Sequence, residues 1–326
     1  MTPNANNPNK PDVGPPTVPS IDGDHIRPYW SVMIPTFNCA RYLRETLASV
    51  LSQDPGPDVM QIEVVDDCST KDDPESVVRE VGGGRISFYR QPRNQGLTGN
   101  WNTCLARARG HWVHLLHGDD LVQPGFYQTM RDAADRHPDL AMLFCRAFTI
   151  NEQGEIETIS PRVREMEQGT RQFPPMHLEN PVRTPTVVIR RDFYESHGGF
   201  DPRFAHTADW EMWMRATVRG GALCINRPLA SYRLFAANHS GQLARTAGNL
   251  EEYVSLAKLV EEEGRTTIDW RQFRRMLAAC ASAQARAFAA SGDREAADAN
   301  WRFWRGTATW RIRIEHWAKQ ALGRSS

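Results

Sequence analysis

Two pairs of adjacent acids stand at the ends of apolar runs. Asp119 and Asp120 follow Trp112-Val113-His114-Leu115-Leu116 and the link His117-Gly118, and Asp66 and Asp67 follow Gln61-Ile62-Glu63-Val64-Val65. Neighbouring carboxylates repel each other and gain most when a divalent cation or a positive group sits between them, so Asp119 and Asp120 read as a hard-metal site. Taken alone, an Asp-Asp pair after a strand is more often a solvated turn with a helix cap. The spacing of His111, His114 and His117 raises a tri-histidine metal site. On a strand, however, His114 faces away from the other two, which removes that reading.

The surrounding pattern brings the acids together. Trp30-Ser31-Val32-Met33-Ile34 is a short buried strand that Pro35 ends, and Asn38 is placed to cap a helix whose Tyr42, Leu43, Leu47, Val50 and Leu51 recur at helical spacing. A second helix spans Pro74 to Val81 and breaks at Gly82-Gly83-Gly84. Ile86 to Tyr89 forms a third strand, Gln95 to Gly99 a flexible loop, and Trp101 to Ala108 a helix leading into the strand at 112–116. Right-handed crossovers put the ends of strands 61–65 and 112–116 next to each other or one strand apart, so the carboxylates converge. That carboxyl edge is where open α/β sheets hold ligands. The glycine-rich loops lack both the G-x-G-x-x-G and the G-x-x-x-x-G-K-[ST] spacing, which removes a dinucleotide fold and a P-loop.

Composition narrows the class. The 326 residues carry 39 basic and 39 acidic side chains, and a polyanion binder would show a basic excess, so nucleic acid is not an expected partner. Six scattered cysteines without a Cys-x-x-Cys pair, and no signal peptide, predict a reducing cytoplasm rather than a disulfide framework or structural zinc. No apolar run approaches the roughly 18 residues of a spanning helix. Residues 1–28, rich in Pro and Asn, read as a disordered tail.

Taken in order, Val32-Met33-Ile34-Pro35-Thr36-Phe37-Asn38, Ile62 to Thr70 with its Asp66-Asp67, Asn94-Gln95-Gly96 and Leu116-His117-Gly118-Asp119-Asp120 resemble glycosyltransferase family 2, the inverting enzymes of GT-A fold. Gly198-Gly199-Phe200-Asp201, Asp209-Trp210-Glu211-Met212-Trp213, and Tyr232-Arg233 with Ser240 resemble the family's acceptor-side and closing segments. The likeness covers about residues 29 to 240, and the order and spacing of these motifs carry it.

The resemblance implies a Rossmann-like, mixed and mostly parallel sheet flanked by helices. It also implies roles. Pro35, Thr36 and Asn38 line the base and ribose pocket, Asp66 and Asp67 accept hydrogen bonds from base or ribose, and Asn94 and Gly96 lie beside them. Carboxylates, being acceptors only, suit that task. For Asn94, a plain turn residue is an equal alternative. Where many members have Asp-x-Asp, this chain has His117-Gly118-Asp119. Asp119 aligns with the metal-contacting acid, Asp120 adds oxygen for one Mg²⁺ or Mn²⁺ shared with a diphosphate, and His117 is a ligand or a donor to the sugar. Asp209 aligns with the acid that deprotonates the acceptor hydroxyl, with Ala208 where a second acid often stands. Glu211 is the second candidate base, and a helix cap is the bland role for Asp209.

The expected organisation is a tail (1–28), a transferase domain (29–245, with a nucleotide-sugar half 29–120 and an acceptor half 121–245) and a C-terminal helical annex (246–326). In the acceptor half, Ala141 to Phe148 and Thr186 to Ile189 are strands, residues 151–154 a hairpin turn, and Pro161 to Pro181 a loop over the site. The segment from Trp301 to Gly323 interleaves Trp301, Trp304, Trp310 and Trp317 with Arg302, Arg305, Arg311, Arg313 and Lys319. Such a helix either lies on an anionic membrane or packs its Trp residues on the domain. The expectation is a cytoplasmic enzyme, peripheral on the inner face of the plasma membrane in the first case. It moves a sugar from a nucleoside diphosphate sugar, UDP favoured, to a hydroxyl acceptor in surface glycan synthesis, a lipid-linked glycan included. The rivals are an inactive sugar-nucleotide-binding module and a nucleotidyltransferase, which would need a Lys-bearing glycine loop after the first strand.

Overall fold

The computed structural model describes residues 14–21, 27–176, 180–234 and 239–314. Two compact units emerge, one of residues 1–173 and 181–235, the other of 174–180 and 236–326. Among the described residues, the first unit runs β1 (Trp30–Thr36), α1 (Ala40–Leu51), β2 (Met60–Asp66), α2 (Pro74–Gly82), β3 (Ser87–Arg90), α3 (Gly96–Arg107), β4 (Trp112–Leu115), β5 (Leu121–Val122), α4 (Phe126–Arg136), β6 (Met142–Ile150), β7 (Ile156–Ile159), β8 (Val187–Arg190), α5 (Arg191–His197), α6 (Ala208–Gly220) and β9 (Ala222–Arg233).

The strands form one mixed sheet in the order β3-β2-β1-β4-β8-β6-β9-β5, with β7 paired to β6. β3, β2, β1 and β4 are all parallel, so their carboxyl ends share one edge. Every residue of β1 and of β2 is buried, as expected of strands covered by helices on both faces. Val32, Ile34, Ile62 and Val64 join Leu43, Leu47 and Val50 of α1 and Phe126 and Met130 of α4 in the main core.

Several expectations needed revision. Pro35 does not end its strand. The parallel pairing runs on to Thr36 opposite Asp66, and the Pro35 carbonyl accepts the Gly118 N–H, so only a donor is missing from the ring. Asn38 is not the cap of α1, whose N-cap is Cys39; Asp72 takes the Ala40 N–H at 2.8 Å instead. The loop expected at 95–99 is largely the first turn of α3, because Asp67 accepts the Gln95 N–H at 2.7 Å and Asn94 accepts that of Gly96 at 3.0 Å. The stretch from Pro161 is packed rather than loose, with Val163, Met166 and Phe173 buried and Thr170 exchanging backbone hydrogen bonds with Ala222.

Within the predicted disordered tail, residues 14–21 are held in place. Val18 is buried, the Pro16 carbonyl accepts the Gly199 N–H, and the Pro19 carbonyl accepts from the buried Arg191. Few apolar groups are needed when fixed prolines lower the entropy of docking and present carbonyls to buried donors. Residues 1–13 lie outside the described residues, as does the end of the predicted C-terminal helix with Trp317 and Lys319.

The second unit contains α7 (His239–Arg245), α8 (Gly248–Glu262), α9 (Trp270–Ala290) and α10 (Arg294–Thr307). Asp269 and Asp293 cap α9 and α10 through their side chains. Asn300 donates to the Ala244 carbonyl at 2.8 Å and so ties α10 to α7. The helix expected from Trp301 to Gly323 is interrupted: Ala308 is extended after the weak formers Gly306 and Thr307, and a new turn begins at Trp310. No helix among the described residues is long and apolar enough to cross a membrane.

Candidate active site

The carboxyl edge of the parallel strands gathers the residues singled out from the sequence. Thr36 ends β1 and Phe37 and Asn38 follow it, Asp66 ends β2 and Asp67 follows, and His117 to Asp120 follow β4. Backbone hydrogen bonds from Asp67 to Thr36 (2.9 Å) and from Gly118 to Pro35 (3.1 Å) hold the three endings in contact. Space at Gly118 is tight. A Cβ would come within 3.0 Å of Cys39 Sγ and 3.3 Å of Thr36 Cβ.

The β1 and β2 endings are locked by their own polar groups. Asn38, in the left-handed region at φ 52°, accepts the Thr70 and Lys71 N–H groups, both at 3.0 Å, and its own N–H donates to Ser69 Oγ. Cys68 is left-handed too, at φ 62°. Two such non-glycine residues at one edge are strained, and strain of this kind persists where surrounding bonds over-determine it.

Asp66 is fully buried. It takes the Ser69 N–H and hydroxyl and lies 3.6 Å from Arg90 Nε, so its carboxylate builds the 66–69 turn instead of facing a ligand. Asp67 is buried beside it at the start of α3. Burial raises its pKa, and the N–H groups of Gln95 and Gly96 pull it back. Asn94 donates to the Asp67 carbonyl and closes a turn onto Gly96, which meets the turn reading in full. Pro35 and Thr36 are buried as well, and the Thr36 hydroxyl has no partner in the protein. Phe37, which sequence reasoning passed over, exposes 47% of its surface between them.

At the β4 ending, one ligand atom each from His117, Asp119 and Asp120 lie within 4.8 Å of one another. Asp120 is buried: its Oδ1 accepts the Arg233 N–H at 2.9 Å, while its Oδ2 has no hydrogen-bond partner and stands 3.6 Å from His117 Nδ1. His117 Nε2 is also unpartnered. Burial lowers the His117 pKa to about 4, so the ring is neutral and has a lone pair to give. Burial raises Asp119 to about 6 against the pull of Arg233, and burial with the Asp119 charge raises Asp120 well above the carboxylate range. Two carboxylates made costly by burial, a neutral imidazole and two buried polar atoms without partners fit a divalent cation with oxygen and nitrogen ligands. His114 takes no part. Its ring is buried between Tyr127 Oη (3.1 Å) and the Pro185 carbonyl (3.0 Å), stacked on Phe126.

Arg233, at the end of β9, holds this corner. Its backbone serves Asp120, its Nε donates to the Asp119 carbonyl at 2.9 Å, its Nη1 to the carbonyls of Asn151 and Glu152, and its Nη2 to Glu45. The guanidinium also lies 4.5 Å over the Tyr42 ring. The sequence signal was Arg233 in the Tyr232-Arg233 closing segment, an expensive residue to bury without work to do.

Asp209 stands in the first turn of α6, half-buried, and takes the Trp210 N–H. Glu211 is different: fully buried, with its two oxygens on Nε and Nη2 of Arg215 at 3.0 and 2.9 Å. Arg215 in turn donates to the carbonyls of His197, Gly198 and Gly199. Glu211 thus shapes the 197–199 loop and is not free to act as a base. Tyr232 precedes Arg233 at the end of β9. Burial raises its pKa, and the charges of Asp120, Asp119 and Asp209 add to the rise while Arg183 opposes it. A run of rings, His117 on Trp101 (5.2 Å), Trp101 on Phe200 (4.8 Å) and Phe200 on Trp213 (6.1 Å), packs the β4 ending against α6.

Comparison with known proteins bears on the fold and the family. An uncharacterised protein of Mycobacterium tuberculosis is 28% identical over 236 residues, 69% of this chain and 73% of that one. The poly(ribitol-phosphate) beta-N-acetylglucosaminyltransferase TarS of Staphylococcus aureus is 29% identical over 119 residues, 35% of this chain but only 20% of that longer protein. Among solved structures, TarS 1–349 with UDP-GlcNAc superposes with a TM-score of 0.54 at 16% identity, covering 86% of this chain and 93% of that one. The mannosyltransferase PcManGT of Pyrobaculum calidifontis, in complex with GDP-Man and Mn²⁺, gives 0.56 at 18% identity, covering 98% and 85%. These likenesses establish the GT-A fold. The model of "Glycosyl transferase family 2" matches residues 31–198, more than half of the chain, so the protein belongs to glycosyltransferase family 2.

Proposed function

We propose that the protein transfers a sugar, with inversion, from a nucleoside diphosphate sugar to a hydroxyl acceptor in the synthesis of a surface glycan or polysaccharide. The observation that carries this reading is the cluster of His117, Asp119 and Asp120 at the carboxyl edge of the parallel strands. UDP is favoured because a structural relative is bound to UDP-GlcNAc, although another holds GDP-Man.

In this mechanism Phe37, Asn38 and the 67–70 turn receive the base and ribose. Asp119 and Asp120, with His117, would hold a divalent cation, Mn²⁺ or Mg²⁺, which neutralises the diphosphate of the leaving group. Asp209 accepts the proton of the acceptor hydroxyl as its oxygen bonds to the anomeric carbon. The bond from that carbon to the phosphate oxygen breaks on the opposite face, and its electron pair leaves with the diphosphate.

The test is a panel of sugar nucleotides screened by thermal shift with and without Mn²⁺, followed by nucleoside diphosphate release in the presence of glycan acceptors. Asp119→Ala is expected to abolish the metal-dependent part of binding. A protein that no sugar nucleotide stabilises defeats the proposal. Binding without diphosphate release on any acceptor favours the inactive module instead.

A further inference from the structure

The second unit carries a groove of about 380 Å³ lined by Trp270, Arg271, Arg274, Arg275, Trp310 and Arg311. Its charge is one-sided. α9 has four Arg and no acid, and so does the stretch from Ala299 to Ile314. Two acids sit at the foot of α9, and both are engaged: Glu261 accepts the Trp270 indole N–H at 2.8 Å, and Asp269 caps the helix. The inner face of α9 is filled by Phe273, Leu277, Ala278, Ala281 and Ala285, which leaves Arg271, Arg274 and Arg275 on its outer face. Beside them Trp310 and Ile314 are 66% and 58% exposed, and Arg311 stacks 5.2 Å over the Trp310 ring.

We propose that this face docks on the headgroups of an anionic phospholipid bilayer, with phosphates received between the arginines of the groove and Trp310 and Ile314 entering the interface. Arginine forks match phosphate oxygens, and an indole held by a guanidinium suits the boundary between headgroup and acyl chain. Net charge favours a sheet of phosphates over an acidic protein, because exposed Trp and Ile gain only where an apolar layer lies beneath the charges. The face differs from the one legible in the sequence. That was a single helix from Trp301, whereas here Trp301 and Trp304 are half-buried and in edge contact at 5.6 Å, and α9 supplies three of the arginines. The proposal does not depend on the transferase reading.

The experiment is co-sedimentation of the full chain with vesicles of phosphatidylglycerol and phosphatidylcholine, and with phosphatidylcholine alone. Binding is expected only to the anionic vesicles, falling with added salt and unaffected by millimolar inorganic phosphate. An arginine near an anionic surface adds about fivefold to partitioning, so Arg271→Gln, Arg274→Gln, Arg275→Gln and Arg311→Gln together should lower it about 100-fold or more. Trp310→Ser should lower it separately while thermal unfolding stays unchanged, since the ring is exposed. Equal binding to both vesicle types, full competition by millimolar inorganic phosphate, or undiminished binding of the quadruple variant each overturns the proposal. Sugar-nucleotide binding by the same variants, measured in the absence of vesicles, reports the transferase reading independently.

Discussion

At the scale of single residues, chemically similar side chains are separated by their surroundings. Asp209 and Glu211 are two positions apart, yet Glu211 is spent on Arg215 while Asp209 is only half-buried in the first turn of α6. Asp209→Asn should keep sugar-nucleotide affinity and lose transfer by 10²- to 10⁴-fold, roughly 3 to 5 kcal/mol of barrier, because the amide keeps size and first-turn hydrogen bonding but takes no proton. Turnover within threefold of the parent protein would assign the base elsewhere. Among the histidines, His114 is a core residue whose pKa burial lowers to about 4. A histidine depressed in the folded state binds its proton more readily when unfolded. The stability it preserves is complete above pH 6.5 and is lost as pH falls toward 4, by about 3 kcal/mol. Chemical denaturation in metal-free buffer at pH 7.5 and 4.5 tests this. His114→Gln should lose about 2 kcal/mol less between the two pH values than the parent, whereas parallel losses would place the acid sensitivity in other groups.

At the scale of elements, the β4 ending works because β9 is beside it. β9 pairs with β5 immediately after Asp120, and its last residue, Arg233, fixes Asp119 through its carbonyl and Asp120 through Oδ1. Arg233 touches neither donor nor acceptor in the proposed mechanism and is a positioning residue. Arg233→Lys keeps the charge but cannot reproduce a fork that reaches Asp119, Asn151, Glu152 and Glu45 together. Metal affinity, read from the Mn²⁺ dependence of thermal stability with UDP, should fall about 10- to 100-fold, with a folded far-UV spectrum. An unchanged metal titration would reduce Arg233 to a structural tie. The ring contacts from His117 through Trp101 and Phe200 to Trp213 give α6 a fixed place relative to that corner, which a base on a separate segment requires.

At the scale of the molecule, the nucleotide-sugar edge is built from strands distant in the chain, so ligand binding should report on the whole sheet. A sugar nucleotide at 100 times its dissociation constant, with Mn²⁺, should stabilise the fold by about 2.7 kcal/mol. Calorimetry with and without EDTA measures that figure. Stabilisation that persists in full under EDTA would separate donor recognition from the cation site. The second unit has its own core around α9 and α10 and its own one-sided charge, and its proposed partner is accordingly of a different kind.

Much of this was legible before any coordinates. Apolar runs ending in Asp66-Asp67 and Asp119-Asp120 were enough to place both pairs at one sheet edge, because crossover handedness leaves few ways to arrange such strands. Periodicity placed α1 and α2 to within about two residues, and the order of the motifs carried the family. Only the tertiary structure decided which acids are taken up by partners within the protein. Asp66 and Glu211 look as reactive in the sequence as Asp119 and Asp209, but Arg90, Ser69 and Arg215, brought in from elsewhere or from the next helical turn, consume them. It also decided that Arg233 meets Asp119 and Asp120, that the prolines at 15–19 are docked, and that α9 rather than Trp301 faces the groove with Trp310. Each of these depends on which partner a polar or charged group meets once buried, and a linear pattern of side chains does not contain that information.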